Sequence, residues 1–238
     1  MKKIDIFPHI FPKSYFDKMV EIIPNPATIR RWTNIPVLYD LERRLGMMEE
    51  FGPDYQQILT LSMPAVEYIA PAGRSPDLAK LANDGMAEIV AKHKNRFPAF
   101  VASVPMNNVK ATLAEITRAV EKLGAKGIQI FTNVNGRPLD DPEFAPIFEA
   151  MKKKGRRPID YFRMFYGDTA INGSASGTRC GLDFFGREHV LFGTDCPFDP
   201  LGGPLFIRDI TKMLDGLGLP SKDLEMIYEG NAKRMLKL

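Results

Sequence analysis

Histidine and cysteine are both scarce in this chain: its 238 residues include three histidines, His9, His93 and His189, and two cysteines, Cys180 and Cys196. Two cysteines make no disulfide framework, and their spacing fits no zinc motif. That excludes a disulfide-stapled secreted scaffold and points to a reducing cytoplasm. No apolar run approaches the ~20 residues that span a membrane. The N-terminus leads straight into an apolar segment with no signal-peptide pattern, so a soluble, cytoplasmic protein with no membrane partner is expected. Strong charge of either sign is also missing. Lys and Arg number 32 against 29 Asp and Glu, a net +3, which is too balanced to indicate nucleic acid. The dense basic run Lys152-Lys153-Lys154-Gly155-Arg156-Arg157 reads as a solvated helix end. No GxGxxG follows the first apolar segment and no GxxxxGK[ST] occurs. The two commonest nucleotide-binding open sheets therefore lose support.

What is present is the composition of an ordinary globular protein, 45% hydrophobic and 26% charged. The length is close to the roughly 250 residues of one (β/α)₈ barrel, so residues 1–238 are expected to form a single domain. Apolar strands are expected at Lys3–Ile10, Gln57–Met63, Phe97–Pro105, Gly127–Thr132, Met164–Ala170 and Val190–Asp195. A helix is expected to begin at Pro12–Phe16, with others over Tyr39–Phe51, Ser75–Asn95, Val109–Leu123, Asp141–Lys154, Leu205–Leu217 and Ser221–Leu236. Leu41, Leu45 and Met48 mark one helical face, and Leu113, Ile116 and Val120 another. Ser75 is read as an N-cap with Pro76 in the first turn. Strict strand–helix alternation predicts an α/β fold with a parallel sheet. Six strands suit an open sheet as well as a barrel, so the pattern leaves both open.

The most informative stretch is Val190-Leu191-Phe192-Gly193-Thr194-Asp195-Cys196-Pro197-Phe198. An apolar strand ends in a carboxylate, and in a (β/α)₈ barrel that end carries the chemistry. A buried carboxylate is costly unless it is paired, hydrogen-bonded or metal-bound. The plainer reading is a cap on the following turn. His9 shares a strand face with Phe7 and reads either as a pocket or metal-binding histidine or as a satisfied core residue. Asp168, at another strand end, is a candidate third group. His93 and His189 read as surface residues, and Cys196 as pocket wall without a nucleophile's surroundings. Trp32 is a packing anchor or part of a lid.

Several motifs occur in the order of a known family. Ile4-Asp5-Ile6-Phe7-Pro8-His9-Ile10-Phe11-Pro12 resembles the first strand of the amidohydrolase-2 family, in the branch of the aminocarboxymuconate-semialdehyde and γ-resorcylate decarboxylases. Gly127-Ile128-Gln129-Ile130-Phe131-Thr132-Asn133 with Asp140-Asp141-Pro142-Glu143-Phe144 resembles its fourth strand and following helix. Tyr166-Gly167-Asp168-Thr169-Ala170 resembles its seventh strand, His189 to Phe198 its eighth, and Gly230-Asn231-Ala232-Lys233-Arg234 its C-terminal helix.

The resemblance implies a TIM-barrel fold of the metal-dependent hydrolase type, holding one divalent metal, usually zinc. The ligands implied are an H-x-H or E-x-H pair on strand one, a histidine on strand five and an aspartate on strand eight. A histidine on strand six assists the chemistry. These positions fall on Phe7, His9 and Asp195, so His9 and Asp195 are the implied metal ligands, and Asp195 is also the catalytic proton carrier. Strands five and six have no counterpart, as though two β-α units were missing near Gly155–Arg157. The implied activity is decarboxylation or hydrolysis of small carboxylated aromatic or enoic acids, weakened in this form. The alternative is a non-catalytic pseudoenzyme serving as a binding or scaffold subunit. Met63, Asn133 and Arg137 are candidate substrate contacts, with Arg137 for a carboxylate. The plainer reading of Asn135-Gly136-Arg137-Pro138 is a turn. Lost units would leave unpaired strand edges and apolar surface, so a homodimer or larger homo-oligomer is expected.

Overall fold

The computed structural model describes residues 1–23, 25–150 and 165–238. Among them, eight short strand segments build six parallel strands. The first strand is β1 (Lys3–Asp5) with β2 (His9–Ile10), and the second is β3 (Tyr55–Gln57) with β4 (Thr60–Leu61). The others are β5 (Ala102–Ser103), β6 (Ile128–Gln129), β7 (Gly167–Asp168) and β8 (Val190–Leu191). Pairing is parallel throughout: Lys3 with Tyr55, His9 with Thr60, Ala102 with Ile128, Gly167 with Val190. A bridge from Leu59 to Phe100 joins the second strand to the third.

The first strand also meets the continuation of the last. Ile6 N–H donates to Phe192 O at 3.0 Å and His9 N–H to Cys196 O at 2.7 Å. Every pairing seen among the described residues joins neighbours in chain order, and the last strand returns to the first. An open doubly wound sheet reverses its order at a switch point, so the arrangement is that of a barrel. The Gly155–Arg157 junction lies outside the described residues.

The first strand is broken where a continuous one was expected. Pro8 has no N–H to give a ladder, and the Phe7 N–H is diverted to Asp5 Oδ1 at 3.1 Å. Around the strands pack α1 (Lys13–Ile22), the single turns α2 (Arg30–Thr33) and α4 (Val66–Ile69), α3 (Leu41–Glu49), α5 (Ser75–Lys92), α6 (Val109–Glu121) and α7 (Ala145–Ala150). Helices at Ala175–Phe185 and Pro204–Asp215 follow. The C-terminal helix runs as Ser221–Glu225 and Asn231–Leu236 around a π-turn at Met226–Gly230.

Two helices bury faces other than the expected ones. In α3, Arg44, Met47 and Met48 are buried, while Leu41 and Leu45 are half-buried. In α6, Thr112, Glu115 and Ala119 face inward and Val120 is exposed. The cause is a polar latch to α5: Asn83 Nδ2 donates to Glu115 Oε1 at 2.7 Å and to Ser103 O at 2.9 Å. Ser75 does not cap α5. Its hydroxyl instead reaches Asn107 Oδ1 at 2.6 Å. Phe11, Tyr15, Met19, Leu59, Leu61, Phe97 and Phe192 lie in the main core. No helix among the described residues is long and apolar enough to cross a membrane.

Candidate functional site

The pairing of first and last strands brings His9 and Asp195 together. His9 Nε2 lies 3.2 Å from Asp195 Oδ1, with the imidazole buried and the carboxylate 35% exposed. Asp195 sits just past β8 in a left-handed turn, φ +62°, a conformation that aspartate visits more readily than most residues. Its N–H donates to Phe7 O at 3.0 Å, which fixes it against the first strand. The following turn is closed by the Asp195 backbone carbonyl, which accepts Phe198 N–H at 3.0 Å. The side chain is thus not the turn cap and is free to face His9.

The hydrogen bonds assign the His9 tautomer. Thr60 Oγ1 donates its one hydrogen to Pro8 O at 2.5 Å. The 3.1 Å contact between His9 Nδ1 and Thr60 Oγ1 must then be donated by Nδ1–H. Nε2 of a neutral ring therefore carries a lone pair and faces a carboxylate oxygen. Two acceptors at that separation need a cation, either a proton or a metal ion. A metal-binding histidine characteristically donates its second nitrogen to a polar partner, as His9 does. Phe7 stands edge-on to the imidazole at 4.7 Å between centroids, and Phe198 lies at 5.6 Å.

Beneath this pair lies a buried polar network. Asp5 accepts Phe7 N–H, Thr194 N–H at 3.1 Å, the Thr194 hydroxyl, and Tyr55 OH at 2.7 Å. Burial pushes its carboxyl up to about 6 despite these donors. Arg44, fully buried, donates from Nη1 to His9 O at 2.7 Å and from Nε to Gln57 Oε1 at 2.9 Å. It braces the backbone of His9 from below. Cys196 is buried, and desolvation raises its thiol to about 12, so it is an inert neutral wall.

Asp168 is less engaged than the sequence reading allowed for. Its Oδ1 caps Ala170 N–H at 2.8 Å. Burial raises its carboxyl first, and the charge of Asp195 adds to the rise. It is therefore electrostatically close to the pair. Even so, no three His, Cys, Asp or Glu groups among the described residues converge as a metal site. The described residues offer a two-donor set where catalytic zinc usually has three protein ligands and an open position.

The candidate substrate contacts separate. Met63 and Asn133 line a cavity of about 480 Å³, beyond the C-terminal ends of β4 and β6. Arg137 does not line it. Its guanidinium holds Asp141 through two bonds, at 2.7 and 3.0 Å, and pairs with Glu143. It also lies over the Phe144 ring at 5.3 Å. The carboxylate-binding role read for Arg137 is thus taken by the protein's own acids. Asn133 Oδ1 accepts Gly136 N–H at 2.7 Å, the turn chemistry of the plainer reading. His93 caps the end of α5, and His189 lies against Tyr166, the rings tilted with centroids 4.7 Å apart, before β8 begins. Glu67 in the cavity, Thr60 behind His9 and Arg44 beneath it were all missed. Arg44 stands in a charged helical segment that looks solvated, Glu67 is the single charge in a short apolar stretch between prolines, and Thr60 lies in an ordinary strand.

A parallel barrel with a His–Asp pair at the C-terminal strand ends defines a candidate metal-assisted enzyme. The family model described as Amidohydrolase matches residues 39–159 and 173–238, and the chain belongs to that family. Among its relatives, a 2-amino-3-carboxymuconate-6-semialdehyde decarboxylase of Dictyostelium discoideum is 38% identical over 110 residues, 45% of this chain and 30% of the relative. A gamma-resorcylate decarboxylase of Polaromonas sp. strain JS666 is 37% identical over 110 residues, 46% of this chain and 32% of the relative. The chain thus spans about a third of the length of these curated relatives. The solved 5-carboxyvanillate decarboxylase of Sphingomonas paucimobilis superposes with a TM-score of 0.85 at 18% identity, covering 100% of this chain and 99% of that one. The dihydroxybenzoic acid decarboxylase of Polaromonas sp. JS666, solved with manganese and 2-nitroresorcinol, gives 0.78 at 21%, covering 100% and 97%. These likenesses show the TIM-barrel fold.

Proposed function

We propose that the chain is a metal-dependent decarboxylase of small carboxylated aromatic acids, of low activity in this form. The observation that carries this reading is the His9–Asp195 pair, with Nε2 3.2 Å from a carboxylate oxygen at the C-terminal strand ends. It is supported by relatives named as decarboxylases and by neighbours solved with manganese. His9 and Asp195 would hold the ion, and zinc and manganese both suit imidazole and carboxylate donors. A bound divalent ion supplies Lewis acidity toward the substrate carboxylate. Thr60 and Arg44 keep His9 in register, Thr60 through Nδ1 and Arg44 through the backbone carbonyl. Losing carbon dioxide from an aromatic acid requires a proton at the ring carbon left behind. Asp195 Oδ1 is the exposed member of the pair and is the group we assign to carry that proton. Phe7 and Phe198 keep water from the buried side of the imidazole.

A second reading has one observation in its favour. Phe7 stands where the resembling family places a ligand, and its ring packs against His9, as in a site turned to binding without chemistry. Carbon dioxide release from 2,6-dihydroxybenzoate and 5-carboxyvanillate, measured on the full chain with and without added Mn²⁺ or Zn²⁺, separates the two. Slow, metal-dependent release is expected. No release on either acid with the metal demonstrably bound would favour the binding subunit.

A further inference from the structure

Away from the His9–Asp195 pair, Lys3, Arg208 and Lys212 line one cavity that the chemistry above does not use. Lys3 opens β1 at the N-terminal end of the first strand, and His9 stands at the other end. At roughly 3.3 Å per residue the two are on the order of 20 Å apart. The cavity, about 380 Å³, lies between Phe51, just past α3, and the helix Pro204–Asp215. That helix presents Arg208, Thr211, Lys212 and Asp215 to it, a set spaced along one helical face. Arg208 spans the gap, pairing with Glu50 and lying over the Phe51 ring at 5.9 Å. Alternation along β1 sends Ile4 into a cluster with Ile58 and Leu191 and turns Lys3 the other way. There Lys3 is half-buried, its ammonium over the Tyr228 ring at 5.1 Å. Tyr228 OH donates to Asp215 Oδ1 at 2.8 Å, which fixes that ring. Lys3 is therefore held at the cavity and does not trail in water. Glu50 answers the charge of Arg208. Among the described residues, no carboxylate pairs with the ammonium of Lys3 or of Lys212.

We propose that this cavity is a second binding site, for the phosphate monoester of a small molecule, with Lys3 and Lys212 on the phosphate and Phe51 against the organic group. Two ammonium groups at one cavity match a dianion, and a monoester carries about −1.5 to −2 at pH 7. Lysine meets phosphate oxygens as a point charge and needs no fixed fork geometry. A carboxylate has a single charge and answers only one of the two. The volume is at the small end of ligand pockets and exceeds what a bare phosphate fills, which leaves room for one ring or short chain on Phe51. The site is separate from the decarboxylase reading and does not rest on it.

The test titrates phenyl phosphate and benzoate into the full chain by calorimetry, at low salt to limit screening and with EDTA present so that no ion at His9–Asp195 holds either anion. The two probes share a ring and differ in charge. Phenyl phosphate is expected to saturate one site at least tenfold more tightly than benzoate. Its affinity is expected to fall between pH 7.5 and pH 5, as the phosphate takes up its second proton. Lys212→Gln and Lys3→Gln are each expected to weaken it at least fivefold. Lys222→Gln removes an exposed charge outside the cavity and is expected to leave it unchanged, as is Asp195→Asn. No saturable binding, benzoate bound as tightly, Lys212→Gln at full affinity, or an equal loss in Lys222→Gln would each overturn the proposal. Loss in Asp195→Asn would place the ester at the other end of the barrel and overturn it too. If Lys3→Gln fails to fold, Lys212→Gln, on an exposed helix position, decides alone. Because the readout is metal-free binding, a failed decarboxylase assay leaves it untouched.

Discussion

Asp195 is held by its backbone on three sides, through its own N–H to Phe7, its carbonyl to Phe198 and the neighbouring Cys196 carbonyl to His9. Its side chain contributes little to that scaffold. Asp195→Asn is therefore expected to leave the thermal midpoint within a few degrees. It should lower metal-dependent turnover by about 10²- to 10⁴-fold, the range of a positioned proton carrier. Unfolding on substitution would instead make Asp195 a structural residue. Asp5 has the opposite character, buried and bonded on every side. Burial raises its carboxyl from the ordinary 3.8 to about 6, so the native state binds the extra proton between the two. Its contribution to stability is full below about pH 4 and is lost as pH rises through about 6. By about 1.4 kcal/mol per unit, the loss is on the order of 3 kcal/mol. Urea titrations at pH 4.5 and 7 should show Asp5→Asn gaining stability relative to the unaltered chain as pH rises. A parallel pH dependence in both proteins would contradict this. Asp195 was legible in the sequence because a carboxylate closing an apolar strand demands a partner, and the family resemblance set His9 beside it. Glu67, Arg44 and Thr60 were not, because only the fold buries them. Arg137 was misread for a local reason: Asp141 and Glu143, four and six residues on, hold it already.

Between elements, the tightest joint is that of α1 on α5. A Cβ on Gly85 would lie 2.4 Å from Pro12 Cβ, so the two helices meet at a position where only glycine fits. Alanine would raise helix propensity by up to ~1 kcal/mol, but the clash involves a proline ring that cannot rotate away. Gly85→Ala is expected to destabilise by about 1–3 kcal/mol, the usual cost of overpacking. Denaturant midpoints measure it, and a stabilised variant would mean that α1 shifts freely. Strand and helix order was readable from apolar periodicity, but strand length was not. Pro8 and the Asp5 side chain cut the first strand, and the described ladders are two or three residues long. The helix Ala175–Phe185 went unread because Ser176, Gly177, Thr178 and Gly181 are poor helix formers. Ser174 starts it by accepting Gly177 N–H at 3.2 Å. Burial of Glu115 rather than Val120 was hidden because a polar latch reverses the usual choice of face.

At the scale of the molecule, strand order resolved what periodicity left open. The first strand lies between the second and the last, as in a barrel. Among the described residues, no strand pairs with the outer edge of β6 or of β7. Phe165, Ile171 and Phe184, near β7, are large apolar residues with exposed surface. Such edges and surface recruit a cover, so a single domain assembling as a homodimer is our expectation. Light scattering over a dilution series checks it, and a monomer at all concentrations would contradict it. We propose that His9 and Asp195 hold a divalent ion, as the two protein donors among the described residues. Metal analysis after gel filtration, with and without prior Mn²⁺ or Zn²⁺ loading, tests it most directly when Asp195→Asn is run in parallel. Clearly less than one equivalent is expected as purified and close to one after loading, with loss to a chelator wash and no retained metal in Asp195→Asn. Equal metal in the two proteins, or none in the unaltered chain after loading, would contradict it.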